Sequence, residues 1–368
     1  MLRRSMSDRA PPVSLATQSR AGASRQRSLM TQSHGGASRR RSLTGIKPSG
    51  DRGQAAEGGL VHLGNYFGAI RPALRLTGRY DSLYFIADYH ALTMQRDPQA
   101  LRQNVYDVVA AWLACGLDPS KTVLFRQSDV IEVFELMWVF ACLCATGQLE
   151  RGHAYKDALS QGGSPNAGVF NYPLLMAADV VLYDTDVVPI GADQKQHMEL
   201  ARDLALRLNH HYGEGTVVVP EALVTDAPLV PGPDGRKMSK SYGNTIRLFA
   251  PPRALRDGIM KYKSDSAPLE APKQPEGTTV YELYKLVASE DDAQEMARKL
   301  RAGGYGWGHA KQALFEALDA HLAPMRERYI ALRADEAQLD RLLHDGAERA
   351  RAVAQRTMQR VRAAVGID

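Results

Sequence analysis

Between Leu43 and Val219 the chain alternates short apolar runs with longer amphipathic stretches, and this alternation leaves few architectures open. Ser82–Asp88 (SLYFIAD) and Thr122–Phe125 (TVLF) are short and rich in β-branched or aromatic residues, as buried strands are. Val180–Tyr183 (VVLY) and Thr216–Val219 (TVVV) read as two more strands. The intervening stretches read as helices. Asp97-Pro98 opens one that runs through Cys115, with proline suited to its first turn. Val130–Cys144 is apolar on most sides, and Gln194–Tyr212 gathers Met198, Ala201, Ala205 and Leu208 on one face. Strands separated by helices pair in parallel, so the pattern predicts an α/β sheet covered on both faces. Such sheets bind ligands beyond the carboxyl ends of their strands, near helix N-termini.

Beyond Leu248 the strand signals fade. Pro251–Pro275 is punctuated by proline, while Val280–Lys299 and Lys311–Val365 read as helices rich in Ala, Leu, Arg and Glu. Gly303–Gly308 (GGYGWG) breaks them apart. The reading divides the chain into a tail over 1–43, an α/β domain over 44–248 with an insertion at 51–61, and an all-helical appendage over 249–368.

The tail repeats itself: Thr17–Leu29 (TQSRAGASRQRSL) recurs as Thr31–Leu43 (TQSHGGASRRRSL), 14 residues on. Its Ser, Arg, Gly and Ala offer almost nothing to bury, so disorder is expected over 1–43. Three uses are open: a dispensable extension with the working start at Met30, a non-specific RNA-binding arm, or a transit peptide. Of the chain's net charge of +5, the tail alone carries +8, from nine arginines against Asp8; residues 44–368 are left at −3. Contact with nucleic acid must therefore come from local basic patches on the folded part.

No apolar run is long enough to cross a bilayer and no secretory core follows Met1, so an aqueous intracellular setting, the cytoplasm, is expected. Cys115, Cys142 and Cys144 are too few for a disulfide framework, and Cys142 and Cys144 are too close for the usual metal spacing. All three are expected to be buried and inert.

Two segments carry candidate phosphate chemistry. In Val61–Ile70 (VHLGNYFGAI), His62 and Gly64 open a predicted helix. His62 can donate to phosphate, with the helix N-terminus adding positive potential, and Gly64 permits close approach of a purine. Local capping by His62 is the competing reading. In Gly235–Asn244 (GRKMSKSYGN), Lys237 and Lys240 lie on a loop introduced by Pro231, Gly232, Pro233 and Gly235. Such lysines can close over a triphosphate and stabilise charge as pyrophosphate leaves; a solvated basic loop is the alternative. A third segment, Asn171–His197, places Tyr172, Met176 and Asp179 at positions 0, +4 and +7, one helical face converging on one pocket. Met176 offers apolar wall to such a pocket and Asp179 an acceptor.

His62 and Lys237 stand 175 residues apart with the α/β pattern between them. Together they resemble the two signatures of class I aminoacyl-tRNA synthetases. The first ends in Asn65 where histidine is usual, and the second is intact as Lys237, Met238, Ser239, Lys240 and Ser241. Asn171–His197 (NYPLLMAADVVLYDTDVVPIGADQKQH) is similar through its whole length to the tryptophanyl-tRNA synthetase family.

The resemblance implies a Rossmann-type nucleotide-binding parallel sheet with a C-terminal all-helical domain that reads the anticodon. It implies ATP with Mg²⁺ as cofactor, L-tryptophan and tRNA(Trp) as partners, and a homodimer. Asp179 is assigned to the indole N–H, with Met176, Tyr172, His90 and Gln194 around the amino acid. Gly191, Ala192 and Asp193 are assigned to ATP, as are Lys47, Pro48, Ser49, Gly64, Asn65, Val230 and the Lys237–Ser241 loop. His197 is expected to support Gln194 or Asp193. His62, Lys237, Lys240 and Lys156 form the expected catalytic set, with His62 and the loop lysines supplying charge.

One departure stands out. Asp51–Val61 (DRGQAAEGGLV) makes the link between the TGIKPSG turn and His62 roughly nine residues longer than the family pattern. Gly-rich and polar, it can loop out at modest entropic cost, but it puts the placement of Lys47 and Ser49 in question. Three other readings stay open. They are a tyrosine-specific relative, against which Met176–Asp179 (MAAD) speaks, an adenylating paralogue that charges no tRNA, and an RNA-binding protein that uses the arginine tail.

Overall fold

The computed structural model describes residues 39–48, 50, 58–160, 162–191, 194–224 and 228–368. Strand β1 (Arg41–Ile46) leads, after the link to His62, into a helical run of α1 (Leu63–Asn65), a π turn (Tyr66–Ile70) and α2 (Arg71–Leu74). The π turn has a local cause. Pro72 has no N–H to give, and the Arg71 N–H reaches back five residues to the Tyr66 carbonyl. Next come β2 (Asp81–Ile86), α3 (Asp88–Ala91), α4 (Pro98–Ala114), β3 (Val123–Arg126), α5 (Glu132–Leu143), α6 (Thr146–Glu150), α7 (His153–Ser160) and α8 (Ala167–Leu182). Strand β4 (Val187–Ile190), α9 (Lys195–Tyr212) and β5 (Glu221–Val224) complete the α/β part.

The five strands form one parallel sheet in the order β3-β2-β1-β4-β5. Strand β1 pairs with β2 from Arg41↔Asp81 to Ile46↔Ile86. Its residues Arg41–Leu43 lie inside the stretch expected to be disordered, so strand structure reaches into the repeat. The reason is the partner: Leu43 is buried and Ser42 Oγ meets Ser82 Oγ at 3.0 Å. The helices start where their caps say they should. Asp97 accepts from the backbones of Gln99 and Ala100, with Pro98 in the first turn, and Asn166 caps α8 through Val169 N.

Two predicted strands are corrected. Val180–Tyr183 forms the buried end of α8 and the residue that caps it, because a four-residue apolar run fits either element once it is buried on all sides. The outer strand is Glu221–Val224 and not Thr216–Val219; Val217 is held instead by both ends of the Asn209 side-chain amide.

After β5 the chain continues through α10 (Pro252–Met260), α11 (Thr279–Tyr284), α12 (Glu290–Ala302), α13 (Trp307–Arg333) and α14 (Glu336–Val365). Each of the two long predicted helices is thus two: Ser289 caps a fresh start at α12, and Asp335 caps α14. The helical part does not stand apart as an appendage, since Arg39–Asp368 form one compact unit. Helix α14 covers the β3 edge so tightly that a Cβ at Gly346 would lie 1.8 Å from the Leu124 carbonyl oxygen. Arg349 donates to the Thr122 carbonyl at 2.8 Å, and Arg126 meets Asp340 at 3.1 Å. No described helix is long and apolar enough to cross a membrane. Cys142 is exposed, contrary to expectation, because it lies on the outer face of α5, and Cys115 and Cys144 are only partly buried.

Candidate active site

The strand order sets the place. From β1 the chain goes to β2 on one side, whereas β4 lies on the other, so neighbouring strands β1 and β4 send their connections to opposite faces. A crevice opens where connections part in this way. Lys47 follows the end of β1 and Gly191 the end of β4, and both line a cavity of about 740 Å³. The same cavity is lined by Tyr172, Met176 and Asp179 of α8, by His90 of α3, and by Gln194 at the start of α9. Phe85, Val188 and Ile190 add apolar wall. The 0, +4, +7 face of α8 therefore does converge on one space.

Asp179 is fully buried at the floor. Burial pushes its pKa up, and the hydrogen bonds from its partners pull the other way. His90 Nε2 lies 2.9 Å from Oδ2. Gln127, just past β3 and also fully buried, donates through Nε2 to both carboxylate oxygens at 2.8 and 2.9 Å. The sequence reading missed Gln127. The available signal was its position at the carboxyl end of a predicted strand, where site residues gather. Tyr172 OH bonds His197 Nε2, so one partner of His197 is a wall of the pocket.

Lys47 is exposed overall, yet partial burial of its ammonium lowers its pKa. Pro48 is buried behind it. Ser49, Ala192 and Asp193 lie outside the described residues, as do residues 51–57 of the insertion.

The histidine turn and the lysine loop form a second cluster. His62 caps α1: Nδ1 accepts from Asn65 N at 3.2 Å, and Asn65 Oδ1 accepts from His62 N at 3.1 Å. Asn65 thus closes a reciprocal cap. With Nδ1 accepting, the ring proton belongs on Nε2, which is left as a donor. Burial, helped by the nearby Lys240 charge, lowers the His62 pKa to about 4. His62 is therefore a neutral donor near pH 7, which corrects the expectation that it supplies charge. A Cβ at Gly64 would lie 2.9 Å from His62 Nδ1 and 3.3 Å from Met238 Cβ, so glycine there is required by this packing itself.

The two signatures touch. Gly64 N lies 3.4 Å from Met238 Sδ, Leu63 N donates to Ile246 O at 3.0 Å, and Leu248 N donates to Val61 O at 2.8 Å. The loop is built on a short pairing, with Met238 N donating to the carbonyl of buried Val230 at 2.9 Å. Asn244, buried at its far end, accepts from Ser239 N at 2.8 Å and donates to Asp234 Oδ1 at 2.7 Å. Met238 points inward, Lys237 and Lys240 are exposed, and Ser239 Oγ meets Ser241 Oγ at 2.8 Å. Among the described residues the lining of the 740 Å³ cavity includes none of His62, Lys237 and Lys240. Lys156 is exposed on α7 and also absent from the lining, although its neighbours Asp157 and Ala158 are part of it.

A nucleotide-type sheet, a buried acceptor in an apolar slot and a lysine loop packed on a histidine turn define a class of ATP-using amino-acid ligases. Residues 39–323 match the family described as class I tRNA synthetases (W and Y), and the chain belongs to that family. Within it, the chain is 42% identical over 325 residues to the tryptophan–tRNA ligase of Fusobacterium nucleatum, spanning 88% of this chain and 97% of that one. The tryptophan–tRNA ligase of Rhodopirellula baltica is 44% identical over 325 residues, with 88% and 98% covered. Among solved structures, tryptophanyl-tRNA synthetase from Campylobacter jejuni complexed with ADP and tryptophan superposes with a TM-score of 0.81 at 42% identity, covering 89% and 99% of the two chains.

Proposed function

We propose that this chain joins L-tryptophan to tRNA(Trp) in two ATP-dependent steps. In the first, the tryptophan carboxylate attacks the α-phosphate of ATP, giving tryptophanyl-adenylate and releasing pyrophosphate. In the second, the terminal adenosine of the tRNA takes the acyl group and AMP leaves. The observation that carries this reading is the slot over Asp179: one fully buried acceptor, apolar walls, and a cation at the mouth in Lys47.

In the slot, Asp179 takes the indole N–H while Met176 and Tyr172 flank the ring. Gln194 and His90 orient the rest of the amino acid, and Gly191, at the end of β4, gives ATP a close backbone approach. His62 donates its Nε2 proton to phosphate oxygens, and Lys47, Lys237 and Lys240 neutralise charge as pyrophosphate departs. The step relies on positioning and charge more than on proton transfer. The groups proposed for the phosphates are an imidazole N–H and lysine ammonium groups; ammonium groups suit anionic oxygens and hold no metal ion. Mg²⁺ would therefore arrive on the ATP phosphates, where it neutralises charge.

Ile131, Phe134, Trp138 and Cys142 are exposed at positions 0, +3, +7 and +11 along one face of α5, which supports pairing with a second copy as a homodimer. The helices after Leu248 are assigned to the anticodon, and a cytoplasmic location goes with a role in translation. ATP–pyrophosphate exchange with each of the twenty amino acids, followed by charging of a tRNA(Trp) transcript, tests the reading. Exchange and charging with tryptophan alone are expected; exchange with tyrosine, or none with tryptophan, would overturn it.

A further inference from the structure

The segment that delivers His62 is anchored by a buried polar junction outside the cavity. Asp107 sits on α4 and is fully buried. Its Oδ2 accepts from Leu60 N at 2.7 Å, two residues before His62. Its Oδ1 accepts from the hydroxyl of Tyr329 on α13. The Tyr329 ring in turn stacks on Phe249, with centroids 4.1 Å apart and planes 5° from parallel. Phe249 N donates to Gly58 O at 3.3 Å, and Arg247 donates to the Gly59 carbonyl. Gly58 and Gly59 both adopt left-handed backbone, with φ of 86° and 76°. A Cβ at Gly59 would meet the Tyr329 hydroxyl at 2.9 Å, so the paired glycines let the chain thread through the junction. The end of the insertion and α13 thus meet at one carboxylate of α4, and the strand-like run after the lysine loop packs on both of them.

We propose that Asp107 and Tyr329 are positioning residues for ATP binding, fixing the Gly58–Leu60 segment so that His62 caps α1 through Nδ1 and keeps Nε2 as its donor, and tying that placement to helix α13. The proposal rests on the reading of His62 as a phosphate contact. A buried carboxylate with two donors holds a backbone N–H more firmly than water would, and freeing that N–H loosens the two residues that follow. Tryptophan binds at a different wall, so its affinity should not respond.

The test uses the full chain and three variants: Asp107→Ala, Tyr329→Phe and Asp107→Asn. Asparagine keeps an acceptor for Leu60 N–H, and its amide can donate to the Tyr329 oxygen, so both links survive. Affinities for ATP and for tryptophan are measured by direct titration, and amide exchange is followed at Leu60 and Leu63. Asp107→Ala should weaken ATP binding about tenfold, Tyr329→Phe about threefold, and Asp107→Asn by less than about twofold, in line with the loss of one or two hydrogen bonds to a charged group. Tryptophan affinity should hold in all three, and Leu60 should exchange faster in the first two. Should Asp107→Ala not fold, Tyr329→Phe carries the test, because its ring can still stack on Phe249. Equal weakening of both ligands, or faster Leu60 exchange with unchanged ATP affinity, overturns the proposal. Wild-type exchange activity with tryptophan tests the underlying reading separately, since neither titration nor amide exchange requires turnover.

Discussion

Gln127 Nε2 lies 2.8 and 2.9 Å from the two oxygens of Asp179, across 52 positions of chain, and ties the end of β3 to the floor of the amino-acid slot. Its own Oε1 is buried with no hydrogen-bond partner among the described residues, so holding the carboxylate is the one polar task its amide performs there. Replacing Gln127 with leucine should raise the tryptophan KM about tenfold, since a buried anion loses a donor and is no longer held in place. Asp179→Asn should cost more, about 100-fold in kcat/KM, because the amide's N–H₂ opposes the Gln127 donor and the indole N–H. ATP–pyrophosphate exchange at varied tryptophan, and with the benzothiophene analogue that has sulfur for N–H, separates the two. Asp179→Asn should lose preference for the N–H, whereas Gln127→Leu, which keeps the acceptor, should retain part of it. A preserved preference in Asp179→Asn would remove Asp179 from indole recognition.

Lys240 is exposed on a loop whose base is pinned by Asn244 and whose Met238 is buried against Gly64. On the proposed reading this charge acts on ATP and not on the amino acid. Lys240→Ala should slow adenylate formation about 100-fold or more, as removal of charge stabilisation does elsewhere. Tryptophan binding, followed by calorimetry without ATP, should stay within about twofold of wild type, because the uniform term is untouched. Exchange at the wild-type rate would dismiss the loop lysine from the chemistry.

The parts of this structure legible in the sequence are those where period and chemistry agree. Strands β2 and β3 were found within a residue or two because SLYFI and TVLF alternate with well-capped helices. The α8 face of Tyr172, Met176 and Asp179 was legible because three residue types suited to an indole recur at helical spacing. Val180–Tyr183 was misread because a run buried from every direction carries no period. The start at Arg41 was hidden because β1 is recruited by pairing with β2, and its Arg-Ser composition points the other way. The neutrality of His62 was invisible because it arises from burial and from Lys240, 178 positions away. Gln127 and Asp107 act on groups 52 and 47 positions distant, so the place of Gln127 at a strand's carboxyl end marks it as a site candidate without naming its partner, and Asp107 carries no such mark.

Trp138 is 71% exposed and Ile131 68%, on the same face of α5 as Phe134 and Cys142. An apolar row of this length on a soluble helix calls for a partner surface. If the partner is a second copy, a charge in the middle of the row should separate the two. Trp138→Glu is expected to halve the mass measured by light scattering while circular dichroism stays unchanged, since the indole makes little contact within its own chain. A wild-type chain that is monomeric at micromolar concentration would contradict the dimer.

The last prediction concerns pH. An unfolded chain takes up a proton on His62 near its ordinary pKa of 6.5, whereas the folded chain resists it until about 4. Between those values the unfolded state binds more protons, so His62 lowers folding stability as the pH falls from 6.5 towards 4. Allowing for partial screening by solvent, the loss should reach about 2 kcal/mol at the acid end. Thermal unfolding of the wild type and of His62→Gln across that window measures it. The variant, with no proton to gain, should show a shallower acid decline, and the Cε1 proton of His62 should titrate with a midpoint near 4 in the NMR spectrum. A midpoint near 6.5 would mean that the ring is charged at the onset of acid conditions. Capping through Nδ1 would then be lost there, because a doubly protonated imidazole has no acceptor to offer Asn65.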